Sequence, residues 1–339
     1  MICIGCMIKR LLFLATLLFS ASSLRAQLNG YILNVGQGDS IYLELPSGSN
    51  VLIDGGPSGE PVYEFLKAKG VTNIDHVVLT HPHSDHYRGL KKVFAAVDVK
   101  NFYDTRAENI DAIGDNNLRE LADAEPGCNT WFPDVGEELN WDPQVTVKVL
   151  NTCSEVTQSR DNDVINNCSM AIRLYYNGNG MLFMGDAEAS VENAMMRVFR
   201  SGLSSSILKV SHHGSRYSST EKFLARVRPE YAYVSFGVGN VYRHPHIEAL
   251  ERLEAAGAKL LYTIGGTQSF TIPAPYRGQS FPVRPVFNGA VMTAEQEFAE
   301  MGLTWEPGDY RGAGPASPAM KQLLGYSAPE DAAADWPAR

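Results

Sequence analysis

The pattern of hydrophobic and polar positions divides the first half of the chain into short β-rich runs and longer amphipathic runs. Runs rich in β-branched residues and bounded by Gly, Pro or Ser predict strands, whereas apolar residues at helical spacing predict helices. The predicted strands are YILNV (31–35), SIYLEL (40–45), NVLID (50–54), DHVVLT (75–80) and VKNFYDT (99–105). The predicted helices are EPVYEFLKAKG (60–70), DHYRGLKKVFAA (85–96) and DNNLRELADA (115–124).

The second half repeats this alternation. The predicted strands are TVKVL (146–150), SMAIRLYY (169–176), GMLFMGD (180–186), SSILKVS (205–211), YAYVSF (231–236), AKLLYT (258–263) and TQSFTI (267–272). The predicted helices are SVENAMMRVFR (190–200), TEKFLARV (220–227) and HIEALERLEAAG (246–257). Two halves of this kind predict an α/β fold, a four-layer αββα sandwich of two mixed β-sheets with outer helices.

The two ends of the chain differ from this pattern. Lys9 and Arg10 precede an uncharged apolar run, and Ala26 is a suitable residue before a cleavage point. These features predict a signal peptide over residues 1–26 and an exported, periplasmic or extracellular bacterial protein, with an uncleaved anchor as the alternative. No membrane span is expected after cleavage. We expect one folded domain over residues 27–290 and a partly disordered, acidic, Pro/Gly/Ala-rich tail over residues 291–339.

Composition narrows the class of partner. The chain has 339 residues, of which 44% are hydrophobic and 20% charged, with a formal net charge of −9. These values are typical of a globular protein and argue against nucleic-acid binding through a broad positive surface. Three cysteines follow the predicted signal peptide, so the chain has either one disulfide and one free thiol or no disulfide. We predict the pair Cys153–Cys168.

The motif HPHSDH places four metal-binding side chains directly after a predicted buried strand. His81 and His83 are spaced to share one metal ion, and Asp85 and His86 lie where a second ion would bind. Imidazole and carboxylate together suit zinc, iron or manganese. A His-rich surface loop without a metal is the alternative.

Two later motifs supply the remaining ligands that such a pair of ions needs. MGD ends a predicted strand at Asp186, which is either a bridging carboxylate or a helix N-cap. SHHGS ends another strand and presents His212 and His213.

These motifs, in this order, resemble the metallo-β-lactamase fold superfamily over residues 30–272. The stretches LNVGQGDSIYLELPSGSNVLIDGG, NNCSMAIRLYYNGNGMLFMGDAE and LKVSHHGS are similar to the hydrolase domain of DNA-internalisation competence proteins of the ComEC type. Secreted phosphorylcholine esterases of the superfamily are similar in the same motifs.

The resemblance implies a role for each of these residues. His81 and His83 would bind the first metal ion, Asp85 and His86 the second, and Asp186 would bridge the two. His213 would be a further ligand, because a glycine follows the ligand histidine in this motif, and His212 would face the substrate. The residues implied to contact the substrate or the ligands are Asp39, Asp54, Asn167, Arg216 and Arg243.

One position departs from the superfamily. Many members supply a third histidine to the first ion just before the strand SMAIRLYY, where this chain has Asn166 and Asn167. An amide oxygen is a harder and weaker ligand than imidazole, which favours manganese over zinc and leaves it open whether one or two ions bind. The expected cofactor is therefore one or two divalent ions, Zn or Mn.

A second histidine motif, RHPH, precedes the helix 246–257. The resemblance places His244 at the rim of the site, as a phosphate contact or a proton donor to the leaving oxygen, whereas a turn cap is the alternative. The candidate catalytic residues are Asp85, His212 and His244. His76, inside a predicted strand, is expected to be structural.

The expected function is hydrolysis of a phosphodiester, either DNA or a diester of the cell envelope, with a hydroxide activated by the metal ions. The acidic net charge favours short strands or small diesters. A lactonase or another ester or amide hydrolase of the same fold, and a non-catalytic binding module, are the alternatives.

Overall fold

In a computed structural model, residues 27–275 and 284–288 are described. The predicted signal peptide and acidic tail lie outside these ranges, and the proposed domain boundaries stay predictions. None of the helices in the described ranges has the length and apolar character that crossing a bilayer requires.

The first large sheet has eight strands. It is formed by β1 (Leu28–Ile32), β2 (Ile41–Glu44), β3 (Asn50–Ile53), β5 (His76–Val78), β7 (Asn101–Tyr103), β9 (Asn129–Trp131), β17 (Gln268–Ile272) and β18 (Val286–Asn288). Their order across the sheet is β18-β17-β1-β2-β3-β5-β7-β9. The strands from β18 to β3 pair antiparallel, and those from β3 to β9 pair parallel.

The second large sheet has six strands in the order β10-β12-β13-β14-β15-β16. They are β10 (Thr146–Asn151), β12 (Ala171–Tyr176), β13 (Asn179–Phe183), β14 (Ile207–Lys209), β15 (Tyr231–Val234) and β16 (Lys259–Tyr262). Pairing is antiparallel as far as β13 and parallel beyond it. Two further strand pairs are β4 (Asn73–Ile74) with β6 (Asp98–Val99), and β8 (Ala107–Asn109) with β11 (Thr157–Ser159).

Seven α-helices lie in the described ranges. They are α1 (Gly59–Ala68), α2 (Ser84–Phe94), α3 (Ile113–Ala124), α4 (Asn162–Asn167), α5 (Ala189–Phe199), α6 (Glu221–Val227) and α7 (Ile247–Ala255). Short 3₁₀ turns cover Arg200–Leu203, Ser211–Gly214 and Thr263–Gly265.

Three hydrophobic clusters hold these elements in four layers. The central cluster fills the space between the two sheets, and the outer clusters pack one sheet against α1–α3 and the other against α5–α7. Strand alternation explains the arrangement: on β13, Met181 and Phe183 belong to the central cluster, whereas Leu182 belongs to the helix-facing cluster. The predicted αββα sandwich is confirmed.

The differences from the sequence prediction are local. The first strand begins at Leu28 and ends at Ile32, earlier than the predicted 31–35. Helix α4 and the short strands β8, β9, β11 and β18 were not predicted, because segments of three to six residues are too short to show a period. The predicted disulfide Cys153–Cys168 is formed, and Cys128 is a free, half-buried thiol.

Helix α2 reaches the first sheet through a backbone contact that glycine permits. The Gly55 N–H donates to the His86 carbonyl at 2.8 Å, and the Gly89 N–H donates to the Gly56 carbonyl at 3.0 Å. A Cβ atom on Gly89 would lie 1.7 Å from the carbonyl oxygen of Gly55. The position of the helix that carries Asp85 and His86 therefore depends on this contact.

We predict that Gly89→Ala lowers the free energy of unfolding by at least about 1–3 kcal/mol, because the helix must move away from the sheet. Urea-induced unfolding under non-reducing conditions measures this change. The matched control is Gly202→Ala, since a Cβ there has no neighbour nearer than 3.8 Å. Equal stability of the two variants would contradict the importance of the contact.

Candidate metal centre

The candidate site lies at the carboxyl ends of parallel strands from both large sheets, where loops carry functional groups on a rigid support. From the first sheet, Asp54 follows β3, and β5 is followed by the loop 79–83 and the first turn of α2, which carries Asp85 and His86. From the second sheet, Asp186 follows β13, and His212 and His213 follow β14. The packing of one sheet on the other therefore brings together residues that are distant in sequence.

One group of ligand atoms comes from the start of the HPHSDH motif and from Asp186. His81 Nε2 lies 2.9 Å from His83 Nδ1 and 3.7 Å from Asp186 Oδ2. The three side chains present ligand atoms within 4.8 Å of one another, as one metal ion requires.

A second group comes from the end of the motif and from the SHHGS motif. Asp85, His86 and His213 also place ligand atoms within 4.8 Å of one another. His213 Nε2 lies 3.5 Å from Asp85 Oδ2. Asp186 Oδ2 lies 3.4 Å from His86 Nε2 and 3.5 Å from His213 Nε2, so this oxygen borders both groups.

Outer contacts orient two of these imidazoles. His86 Nδ1 lies 2.8 Å from Asp54 Oδ2, and Asp54 also accepts hydrogen bonds from the Thr80 N–H and hydroxyl at 2.8 and 2.7 Å. His213 Nδ1 lies 3.1 Å from the Ser235 carbonyl oxygen and 3.3 Å from Asp39 Oδ1. Both contacts favour a proton on Nδ1, which leaves Nε2 as the lone-pair donor toward the centre.

Sequence reasoning missed the residue that holds Asp39. Lys209, which is only 1% exposed, places Nζ 2.7 Å from Asp39 Oδ2, and the Ser235 hydroxyl donates to Asp39 Oδ1. A buried lysine needs a charge partner. The only sequence signal was a lysine inside the short apolar strand β14 (ILK). In a hydrophobic pattern such a lysine counts as one polar position, and its burial is not visible.

The first group has its own outer contacts, which the sequence analysis also missed. The Thr80 and Ser169 hydroxyls lie 3.1 and 3.3 Å from His81 Nδ1, and the Asp186 N–H donates to the Ser169 hydroxyl at 2.9 Å. On the far side of His83, Nε2 lies 3.2 Å from Asn162 Oδ1. Asn162 belongs to α4, between the two cysteines of the disulfide, so the bridge holds this contact close to the site.

The backbone adopts unusual conformations at three of these residues. His212 and His213 have φ values of 49° and 53°, and Asp54 has a φ value of 58°. Such conformations cost on the order of 1–3 kcal/mol each for non-glycine residues and persist where the surroundings enforce them. The His212 N–H donates to the Gly185 carbonyl at 3.0 Å, which ties the SHHGS turn to the segment that carries Asp186.

The unsatisfied atoms of the cluster fit divalent cations. Among the described residues, His86 Nε2, His213 Nε2 and Asp186 Oδ1 are buried without a hydrogen-bond partner. Buried polar atoms are normally paired, so these three indicate a missing partner that accepts lone pairs.

The charge balance points the same way. Four carboxylates lie in or beside the cluster, those of Asp39, Asp54, Asp85 and Asp186. Lys209 is buried with them and pairs with Asp39. Burying this excess negative charge is unfavourable unless protons or cations balance it. One or two divalent ions would supply the balance.

The pKa shifts show where protons bind when no ion balances the charge. Burial alone would lower the pKa of His86 and His213, but Asp186, together with Asp54 or Asp39, outweighs it and holds both pKa values well above the usual range. For His81, burial dominates and keeps the pKa well below its usual value. Metal binding then requires release of the protons on His86 and His213.

The other predicted residues lie around this cluster. His212 Nε2 is 3.9 Å from Asp186 Oδ2, and the ring of the buried His244 is 5.0 Å from that of His212. Arg216 is exposed and pairs with Glu248 at 3.2 Å, and Arg243 is exposed beside His244.

The two asparagines that replace the expected histidine differ in their contacts. Asn167 Oδ1 accepts a hydrogen bond from the Glu188 N–H at 3.1 Å, just before α5. Asn166 is buried, and its Oδ1 has no hydrogen-bond partner within the described ranges, so it retains an unused acceptor. The metal-ligand assignments, including this one, stay predictions. His76 stacks on Trp141 with ring centroids 5.5 Å apart, as expected of a structural histidine.

The family model of the metallo-beta-lactamase superfamily matches residues 33–141 and 160–238, which is more than half of the chain. The chain belongs to the metallo-beta-lactamase superfamily. The resemblance carried by HPHSDH, MGD and SHHGS is thereby confirmed at the level of the family.

Curated relatives of this superfamily member include competence proteins. It is 28% identical over 283 residues to ComE operon protein 3 of Bacillus subtilis, a match that covers 77% of this chain and 35% of that protein. It is 28% identical over 235 residues to Competence protein ComA of Neisseria gonorrhoeae, covering 68% of this chain and 30% of that protein. The chain thus spans about a third of the length of these relatives.

Among solved structures, Igni18, a metallo hydrolase from the archaeon Ignicoccus hospitalis, is 14% identical with a TM-score of 0.42. The match covers 77% of this chain and 99% of that chain.

We predict that Asp54→Asn weakens metal binding by roughly 10- to 100-fold, because His86 loses the carboxylate that fixes its orientation. Competition with a chromophoric chelator measures the affinity for zinc and manganese. The matched control is Asp142→Asn: Asp142 is also buried, but it accepts hydrogen bonds from the Ser47 N–H and hydroxyl instead. Unchanged affinity in Asp54→Asn would show that this outer contact is unimportant.

Proposed function

We propose that this chain is an exported, metal-dependent phosphodiesterase. The observation that carries the proposal is the pair of ligand groups on either side of Asp186 Oδ2, held at one edge of the double sheet. Membership of the metallo-beta-lactamase superfamily supports a metal-dependent hydrolase in general. The relatives named for competence favour a DNA phosphodiester as substrate, with a diester of the cell envelope as the alternative.

Export is supported by the disulfide as well as by the N-terminal sequence pattern. A bridge between Cys153 and Cys168 persists in an oxidising compartment, as outside the cytoplasm. The substrate would therefore be met in the periplasm or outside the cell.

The bound ions would supply Lewis acidity and an activated water molecule for attack on phosphorus. His81 and His83 would hold one ion, and Asp85, His86 and His213 the other, with Asp186 between them. Asp39 and Asp54 keep the Nε2 lone pairs of His213 and His86 directed at the centre. Zinc fits the two histidines and one aspartate of the second group, and the amides near the first group leave room for manganese there.

In this proposal two further histidines, His212 and His244, act on the substrate. His212 presents Nε2 toward Asp186, and Nδ1 lies 3.2 Å from Glu188 Oε1. The pKa of His244 is lowered to about 2, chiefly by burial and also by His212 and His213. A neutral imidazole at His244 acts as a hydrogen-bond donor to a phosphoryl oxygen, and His212 is the better placed of the two to give a proton to the leaving oxygen.

We expect chelator-treated protein to lose hydrolysis of phosphodiesters and to regain it with Zn²⁺ or Mn²⁺, since the attacking water depends on the ions. Turnover is measured on bis(p-nitrophenyl) phosphate, single-stranded DNA, plasmid DNA and a lactone. Cleavage of the lactone alone would overturn the substrate assignment, and turnover that resists the chelator would overturn the metal dependence.

We also expect His86→Ala and Asp186→Asn to lose more activity than the roughly 10- to 100-fold caused by loss of an outer contact, because each removes a ligand atom. Metal content and diester turnover are measured on the folded variants. The control is His76→Phe, which removes a histidine outside the cluster and keeps a ring against Trp141. Normal turnover by either ligand variant would refute the assignment.

A further inference from the structure

The loop that follows β15, residues 237–246, exposes apolar side chains beside the candidate metal centre. Val238, Val241 and Tyr242 are 61%, 79% and 60% exposed, and Tyr217 on the neighbouring loop is 63% exposed. Single exposed apolar residues are normal on a protein surface, but several together beside an active site indicate a binding surface.

Internal hydrogen bonds hold this loop in one shape. The side-chain amide of the buried Asn240 donates to the carbonyls of Gly237 and His244 at 2.8 and 2.7 Å, and its oxygen accepts from the His244 N–H at 2.9 Å. Gly237 packs closely on the loop 36–38, where an added Cβ would lie 2.4 Å from the Gln37 nitrogen. The loop backbone that carries the exposed side chains is therefore fixed before a ligand binds, which lowers the entropic cost of binding.

A row of rings connects this surface with the metal centre. The Tyr242 ring stacks on that of His244, with centroids 5.8 Å apart and planes 22° apart. The His244 ring lies 5.0 Å from that of His212, whose Nε2 is 3.9 Å from Asp186 Oδ2. His244 is itself buried, and within the described ranges its Nδ1 has no hydrogen-bond partner. A phosphoryl oxygen of a bound substrate would provide that partner.

Two arginines lie on or next to the loop. Arg243 lies between Tyr242 and His244, and Arg216 is exposed on the adjacent loop, where it pairs with Glu248. The net charge of −9 argues against affinity from a broad positive surface. Recognition of an extended phosphodiester must then come from contacts beside the scissile bond. Stacking on an aromatic ring is such a contact, and it requires an unpaired base.

The geometry points to the exposed Tyr242 face as a stacking site for an unpaired nucleobase next to the scissile phosphate of a single-stranded nucleic acid. This inference rests on the proposed phosphodiesterase function and specifies its substrate. Duplex DNA, whose bases are paired and stacked on each other, would bind less well than a single strand. A small aliphatic diester would bypass the site.

The test compares binding of two strands of equal length and charge by fluorescence anisotropy with the metal-loaded protein. One is a phosphorothioate oligothymidine, which resists hydrolysis, and the other is a phosphorothioate strand of abasic spacers. We expect Tyr242→Ala to weaken binding of the oligothymidine by roughly 5- to 100-fold, the effect of losing one stacked base. Tyr242→Phe keeps the ring and should bind as the wild type does, and binding of the abasic strand should be the same for all three proteins.

The matched control is Tyr175→Ala, which removes another exposed tyrosine. Tyr175 pairs with Gly180 near the start of β13, whereas Asp186 follows the other end of that strand. Normal oligothymidine binding by Tyr242→Ala, equal loss for the abasic strand, or absence of single-strand binding by the wild type would overturn the inference. Turnover of bis(p-nitrophenyl) phosphate, measured in parallel, reports on the proposed function separately. Diester turnover without Tyr242-dependent binding would overturn the stacking site and leave the hydrolase standing. Tyr242-dependent binding without diester turnover would overturn the proposed function and leave only nucleobase binding at Tyr242, with no scissile phosphate beside it.

Discussion

The structure depends on one carboxylate oxygen, Asp186 Oδ2, which lies among imidazoles from two separate segments of the chain. Four histidine nitrogens lie between 3.4 and 3.9 Å from it, belonging to His81, His86, His212 and His213. Such a gathering needs both sheets in register, because His81 and His86 follow the first sheet and Asp186, His212 and His213 follow the second. The hydrophobic cluster between the two sheets fixes their relative position. The buried charges of the site lie at the edge of this cluster and are balanced by their partners within the site.

Several features of the site lower the free energy of unfolding, and the surrounding contacts offset part of that loss. Buried carboxylates, left-handed backbone at Asp54, His212 and His213, and unpaired ring nitrogens all oppose folding. The ion pair with Lys209 favours the charged form of Asp39. Burial raises the pKa of Asp54, and the hydrogen bond from the Thr80 N–H and the nearby His86 oppose that rise. A divalent ion, by satisfying the lone pairs that remain, would add its binding free energy to the stability of the fold.

Much of this was predictable, because the residues that do the chemistry follow strands with a strong hydrophobic signal. HPHSDH follows VVLT, MGD follows GMLF and SHHGS follows ILKV, so their positions at strand ends could be inferred from the sequence. The outer contacts were less accessible. Asp54 was expected from its motif, but Lys209, Ser169 and Asn162 bind partners far away in sequence, and no local pattern reports such a distance. The same holds for α4, whose six residues carry no helical periodicity.

Whether two ions lie on either side of Asp186 is the central question, and anomalous X-ray diffraction at the zinc and manganese edges answers it directly. Crystals of the purified protein should show two peaks separated by about 4 Å, one beside His81 and His83 and one beside Asp85, His86 and His213. A single peak beside Asp186 would reduce the centre to one ion. No peak in protein that hydrolyses diesters, or peaks remote from Asp186, would contradict the account.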